Sequence, residues 1–351
     1  MPTTYAIPNG RTVMGAFTYT GNGSASSNTT QNITTPFYPD MAWVKGRSGS
    51  DSTFYHRLTS TGLTQPNYLA PNATDAESSG QDQISALAST YFQVKASGSG
   101  GTNQSGSTYV GWAWNANSGT TVSNASGSIT SSVSANTTAG FSVVTYTGTG
   151  ANATVGHGLG VAPKFIITKK RSSTSNWATN DPSQSNPWSG ALLLNSTNAF
   201  TSSSAVWNDT APTTTVFSIG TADAVNISSA TYVAYCFAPV AGYSAFGSYT
   251  GNGSADGPFV YLGFRPRFVM IKGSSDADRA WVMIDTSRNT ANVMNLNLYA
   301  NASDAEATDT RADGLSNGFK VRGTGTWVNN SASTYIYMAF AENPFKYANA
   351  R

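Results

Sequence analysis

The residues with the most chemical promise are two pairs of carboxylates. Asp75 and Glu77 in NATDAE return as Asp304 and Glu306 in NASDAE. Acids two apart share one face of an extended chain, so each pair offers hard oxygen donors of the kind Ca2+ takes. The stretch between them that aligns with both, Asn195-Ser196-Thr197-Asn198-Ala199, has neither acid. Asn and Asp also close turns by bonding their own backbone, and a turn is the expected role. Asp75, Glu77, Asp304 and Glu306 stand as weak metal-ligand candidates, and no cofactor or metal is otherwise called for.

The other reactive side chains are sparse. His56 in FYHRL and His157 in VGHGLG fall at unrelated places, which argues against one shared Ser/His or His/carboxylate machine. His157 lies in a glycine-flanked turn before a strand, where an imidazole caps a loop. The single cysteine, Cys236, excludes an internal disulfide framework, and its strand slot is held by Ala113 and Ala339 elsewhere in the chain. A small buried side chain explains it. No HExxH, GxSxG, Walker or CxxC signature is present, and nothing fixes the carboxylate separation that a glycosidase needs. The chain does not read as an enzyme.

Eight tryptophans are more than a catalyst needs. Trp177, Trp188, Trp207 and Trp327 stand in polar loops beside Asn, Asp, Ser or Thr. Aromatic faces with amide and hydroxyl neighbours grip sugars, and equally grip other subunits or close the end of a sheet. These four are the candidate binding residues, with all three roles open.

The elements that must position these groups come from a repeat. A Tyr-containing turn recurs as TYTGNG at Thr18–Gly23, TYTGTG at Thr145–Gly150 and SYTGNG at Ser248–Gly253. A proline then leads an apolar run ending in lysine: PDMAWVK to Lys45, PKFIITK to Lys169 and PRFVMIK to Lys272. A Thr-Tyr opens a last apolar segment at Thr108, Thr231 and Thr334, giving lysine-to-threonine intervals of 63, 62 and 62 residues. Lysines 45, 169 and 272 are 124 and 103 apart, so about twenty extra residues lie in the first unit. The expected division is 1–114 as repeat 1 with a short N-terminal arm, 115–138 as a Ser/Thr/Asn/Gly-rich flexible or extended linker, 139–244 as repeat 2 and 245–351 as repeat 3. The short junction at 239–244 suggests that the last two repeats sit more rigidly together than the first two.

The local pattern is β throughout. TYVGWAW, TYVAYCF and TYIYMAF alternate with period two, placing Val110, Trp112 and Trp114 on one face and Tyr109, Gly111 and Ala113 on the other. A face of large groups opposite mostly smaller ones is how a strand in a two-sheet sandwich reads. The expected fold is all-β: three tandem β-sandwich domains, jelly-roll or lectin-like. Gly-Asn-Gly tolerates positive φ, so the opening motif is a corner of each unit and not a site.

Composition excludes several functions. Charged residues are 10% of the chain, against about 25% in an ordinary soluble domain, and the net charge is +2 with no basic run beyond Lys169-Lys170-Arg171. Nucleic-acid binding is not expected. No apolar stretch reaches the roughly 18 residues of a membrane span, and MPTTYAIPNGRTV is no signal peptide. Synthesis in a cytoplasm with a surface fit for the outside world suits a particle released by lysis.

The segments VVTYTGTGANATVGHGLGVAPKFIITKKR, FGSYTGNGSADGPFVYLGFRPRFVMIK and TYIYMAFAENPF resemble, over nearly the whole chain, tandem β-domains of tailed-bacteriophage virion surface proteins, the distal modules of tail fibres from phages of aquatic bacteria. The resemblance implies a non-enzymatic homotrimer on the virion surface, contacting other tail or capsid proteins and a host-surface glycan or protein. Fibres generally begin with an anchor and shaft, whereas repeat 1 begins within about fifteen residues of Met1, so Met1 to Val13 or a partner must serve as tether. A capsid cement or head-decoration role is the alternative.

Overall fold

The computed structural model describes residues 4–23, 29–48, 56–63, 67–79, 83–97 and 100–344. Three strands form the heart of each repeat. An opening strand (Met14–Thr20, Phe141–Thr147, Ser244–Thr250) pairs antiparallel with a closing strand (Thr108–Trp114, Thr231–Phe237, Thr334–Pro344). The other edge of the closing strand takes the proline-led strand (Met41–Gly46, Phe165–Lys170, Phe264–Gly273). The described residues are otherwise strands, turns and three helical turns of three or four residues. The all-β expectation holds.

The register explains the recurring tyrosines. Tyr19 lies opposite Tyr109, Tyr146 opposite Tyr232 and Tyr249 opposite Tyr335. Their rings stack at 5.1, 5.2 and 5.2 Å between centroids. Burial pushes the phenols of Tyr19, Tyr146 and Tyr249 well up, and each hydroxyl donates to a backbone carbonyl, at Thr102, Val225 and Val328. A cross-strand aromatic pair with a satisfied hydroxyl fixes register as well as adding about 0.2–1 kcal/mol.

In repeats 1 and 2 the two faces of the closing strand go to different cores. Trp112, Trp114, Tyr235, Phe237, Met338 and Phe340 belong to one cluster shared by all three repeats. Trp114 meets Phe268 and Phe340 edge-on at 5.8 and 5.6 Å, and Phe237 lies 5.8 Å from Phe340. In repeats 1 and 2 the opposite face stays within its own repeat, Tyr109 and Ala113 packing with Phe92, and Tyr232, Ala234 and Cys236 with Trp207 and Phe217, whereas in repeat 3 Tyr335 and Ala339 join the shared cluster. The large-side-chain face is thus what joins the repeats, and truncating one of its indoles would cost about 3–5 kcal/mol.

Two connecting segments are ordered against the repeats. Residues 115–138 carry the strands Val122–Asn124 and Ser131–Asn136, and the latter pairs with the opening strand of repeat 2 from Asn136↔Phe141 to Ser132↔Thr145. Small hydroxyl side chains gave this segment no apolar period, yet its backbone finds a sheet edge and Val133 is buried. The arm is also docked: Ile7 is buried in the shared core, Gly10 lies where any Cβ would strike the Ala341 carbonyl, and Arg11 pairs with Glu342. Residues 1–3 lie outside the described residues.

Candidate functional site

The carboxylate motifs sit where repeats meet. The lysine ending each proline-led strand is buried and sends its Nζ into the neighbouring repeat: Lys45 to the Ala302 carbonyl (2.7 Å), Lys169 to Thr74 (3.0 Å) and Lys272 to Thr197 (2.9 Å). These acceptors lie in NASDAE, NATDAE and NSTNAF respectively. Repeat 1 therefore reaches repeat 3, repeat 2 reaches repeat 1, and repeat 3 reaches repeat 2. One heterologous contact used three times closes a ring. Burial lowers the amines of Lys45, Lys169 and Lys272 to about 7, about 8 and about 7.

Backbone bonds repeat the pattern. Glu306 N–H donates to Arg47 O (3.0 Å), Glu77 to Arg171 O (2.8 Å) and Phe200 to Ser274 O (2.9 Å). Two of the three carry an ion pair on top. Arg47 grips Glu306 through Nε and Nη2 at 2.9 and 2.8 Å, and Arg171 grips Glu77 in the same way. Glu306 also accepts from Arg288, Glu77 from Asn67. Asp75 and Asp304 are exposed. The four acids hold no common ligand shell, and no group of three or more His, Cys, Asp or Glu suited to a metal exists among the described residues. The metal candidacy is corrected: the glutamates are consumed by arginines and the aspartates face solvent, while the segment is the turn it was expected to be.

The loop tryptophans are likewise absorbed. Trp177 is fully buried at the seam of repeats 2 and 1, its Nε1 donating to Ala70 O at 3.0 Å. Trp188 and Trp207 cross edge-on at 5.5 Å inside repeat 2. Trp327 is half-buried, packed edge-on against Tyr299 at 4.9 Å with the Arg311 guanidinium 5.4 Å over its ring. None of the four is an exposed binding aromatic. Polar sequence neighbours had implied exposure, but Trp177 buries its indole with the N–H on a carbonyl, and Trp207 is buried by ring packing with its Nε1 unpartnered.

His157 is buried, accepting from Leu159 N–H at Nδ1 and meeting Thr213 O at Nε2, and burial lowers its imidazole. It caps its loop as expected. Cys236 is fully buried and its thiol pushed far up by burial, which leaves it inert. His56 opens the strand His56–Ser60.

Sequence reasoning missed three buried asparagines. Asn103 Oδ1 accepts from Asn22 N–H at 3.0 Å, Asn226 from Thr149 at 2.7 Å and Asn329 from Asn252 at 2.9 Å. Each thus holds the middle residue of a TGNG or TGTG turn, whose first glycine is packed so closely that a Cβ would meet a backbone oxygen at 2.1–2.3 Å. The signal was present: each asparagine lies six residues before the closing-strand tyrosine.

A family model described as a domain of unknown function (DUF7483) matches residues 11–344. The chain belongs to this family. The DUF7483 match takes in all three repeats and the strand Ser131–Asn136, which agrees with a ring built as one unit. No curated protein and no solved structure matches the chain.

What remains open on this DUF7483 chain is its outer surface. One groove of about 390 Å3 on repeat 2 is lined by hydroxyls of Ser123, Thr130, Ser132 and Thr147 with Tyr146 and Arg171. A second, of about 560 Å3, lies between repeats 1 and 3.

Proposed function

We propose that the chain is a structural protein of the bacteriophage virion surface, of the tail-fibre, receptor-binding type, which acts by binding and not by catalysis. The reading rests on the resemblance of its repeats to phage surface modules. One geometric observation carries the binding part: Glu77 and Glu306 are spent in holding repeats together, while an outward groove on repeat 2 is lined with hydroxyls. A concave surface of Ser and Thr hydroxyls suits a glycan, which is bound by many neutral hydrogen bonds. On this reading each repeat is a jelly-roll or lectin-like β-sandwich, and rings of this kind assemble as a homotrimer on the particle.

Fluorescently labelled protein should stain susceptible host cells and compete with phage adsorption. Absence of staining together with absence of competition at saturating protein would overturn the receptor-binding reading.

A capsid cement or head-decoration role is the second reading. It is favoured by the open strand edges of repeats 1 and 3, which fit a protein neighbour better than a sugar. Antibody label on heads would establish it over the first, and label confined to tails would eliminate it.

A further inference from the structure

The same side of the repeat is closed in repeat 2 and open in repeat 1. In repeat 2 the segment 128–136 runs from one strand edge to another. Ser128 and Ile129 N–H donate to Thr154 Oγ1 and O (2.9 and 3.0 Å), Ser131 Oγ to Gly156 O (2.8 Å), and Ser132 to Asn136 then pair with the opening strand. Ala153–Gly156, which holds the first end of this cover, is the strand that follows the glycine turn.

Repeat 1 has both strands, and among the described residues no segment covers them. Its opening strand Met14–Thr20 and its post-turn strand Thr30–Thr34 each end a sheet, with no further strand beside them among the described residues. Between them lies the 560 Å3 groove, walled on the far side by repeat 3. Ala16 O faces the groove side, accepting from Arg267 Nη2 (2.8 Å) and Ser287 Oγ (2.6 Å). Strand alternation puts the N–H and C=O of Thr18 on that same edge, and Thr18 is exposed.

The corner residue decides the chemistry of the occupant. The residue after the leading proline is Asp40 in repeat 1, where it faces the cover of repeat 2, and Arg267 in repeat 3, where it faces the open groove. Asp40 accepts from Ser134 Oγ at 3.3 Å and from the N–H groups of Ala116, Ser118 and Gly119 at 2.7–3.0 Å. An acid at this corner holds a segment through its donors. A guanidinium at the same corner calls for acceptors, and Arg267 Nε is buried with no partner. Arg11 adds a second, half-exposed cation, balanced by Glu342.

We propose that this groove takes an extended, acidic peptide segment of a partner protein, which adds as a strand to the open edge of Met14–Thr20 and sets a carboxylate against Arg267. Strand addition supplies affinity through the backbone, and the corner charge supplies selectivity. The inference does not depend on the chain being a virion protein.

The probe is a labelled peptide copying residues 127–137, GSITSSVSANT, with and without Ser134→Asp, titrated against the full chain. The Asp peptide should bind about ten-fold or more tighter than the parent. Hydrogen exchange at the Thr18 amide should slow on binding. Arg267→Gln should weaken the Asp peptide by about ten-fold and leave the parent peptide unchanged. Thr18→Pro should abolish binding of both, since an edge strand accepts proline but loses the donor. No saturable binding of the Asp peptide at concentrations on the order of 1 mM overturns the proposal. So does binding that leaves Thr18 unprotected or ignores Arg267→Gln, readouts that stand even if Thr18→Pro fails to fold.

Discussion

The seam between repeats 1 and 3 and the seam between repeats 3 and 2 are built on one template and filled differently. Both have the buried lysine, the carbonyl it reaches and a backbone bond beside it, from Glu306 N–H to Arg47 O at the first and from Phe200 N–H to Ser274 O at the second. The first adds a buried polar chain running from Trp112 Nε1 to Asp285 (3.0 Å), Asp285 to Arg288 (2.6 Å), Arg288 to Glu306 (3.0 Å) and Glu306 to Arg47. Burial pushes the Asp285 carboxyl up, but Arg288 and the Trp112 indole more than offset it, so the group is held below the ordinary range. At the second seam the counterparts of Trp112, Asp285, Arg47 and Glu306 are Met338, Asp181, Ser274 and Phe200. There Asp181 turns inward to Ser183 and Gln184, and uncharged contacts cross the seam instead, Ser183 to Ser274 at 3.2 Å and Trp281 Nε1 to the Leu193 carbonyl at 2.9 Å. The lesson is that the lysine and the backbone bond define the ring, while side-chain charge is optional decoration on it.

The strongest way to break that view is Glu306→Ala. It takes one of two carboxylate partners from Arg288, whose side chain is 0% exposed, and removes the carboxylate that Arg47 grips. Removing one partner of a buried pair typically costs about 3–5 kcal/mol, because a charge is left without compensation. Denaturant unfolding should show a loss in that range. A loss under about 1 kcal/mol would mean that Asp285 alone suffices for Arg288, and that the chain of contacts is not acting as a unit.

Glu77→Ala at the seam between repeats 2 and 1 should cost less, about 1–3 kcal/mol, since Arg171 keeps some contact with water while Asn67 loses an acceptor. A double-mutant cycle sharpens the contrast. Arg47→Ala with Glu306→Ala should give a coupling of about 1–3 kcal/mol, whereas Ser274→Ala with Phe200→Ala should give one within about 0.5 kcal/mol of zero.

The shared element has its own test in pH. The amines of Lys45 and Lys272 are lowered by burial to about 7, whereas the unfolded chain holds its lysine protons to about 10.4. Below pH 7 both states are protonated and the folded state bears the full cost of burying the ammonium. Above it the folded lysines release protons that the unfolded chain keeps, so stability rises with pH. The thermal midpoint should therefore climb between pH 7 and 9, and Lys45→Met should flatten part of that slope. A midpoint that falls over this window in the wild-type chain, or a slope untouched by Lys45→Met, would remove the lysines as the seams' titrating element.

How much of this was written in the sequence depends on how far apart the partners are. The period-two faces of TYVGWAW, TYVAYCF and TYIYMAF were legible, because alternation is local. That the large face packs against two other repeats was not, because alternation says that a face is buried and not against what. NATDAE was legible as a turn, but Glu77 meets Arg171 94 positions away and Glu306 meets Arg47 259 away, separations that no local pattern reports. Residues 115–138 misled for a different reason. Ser, Thr and Asn carry little hydrophobic signal, so a strand whose stability comes from its backbone pairing, with Val133 as its main apolar anchor, looks like a linker. The loop tryptophans misled because sequence neighbours set the expected exposure, while Trp177 and Trp281 bury their indoles against carbonyls of the adjacent repeat, at Ala70 and Leu193.

The smallest expected effect tests the comparison at its weakest joint. Ser274→Ala at the seam of repeats 3 and 2 removes the one side-chain hydroxyl contact to Ser183, but keeps the Ser274 carbonyl that accepts from Phe200 N–H. Ser183 Oγ still donates to Asp181 at 2.6 Å, so no buried group is orphaned. The change should therefore cost no more than about 0.5 kcal/mol. Lys272→Ala at the same seam deletes the ammonium and leaves the Thr197 and Arg279 carbonyls without that donor, so it should cost several times more. If Ser274→Ala proved the costlier of the two, side-chain contacts would outrank the lysine even where charge is absent. The ring would then be held by what differs between its seams and not by what they share.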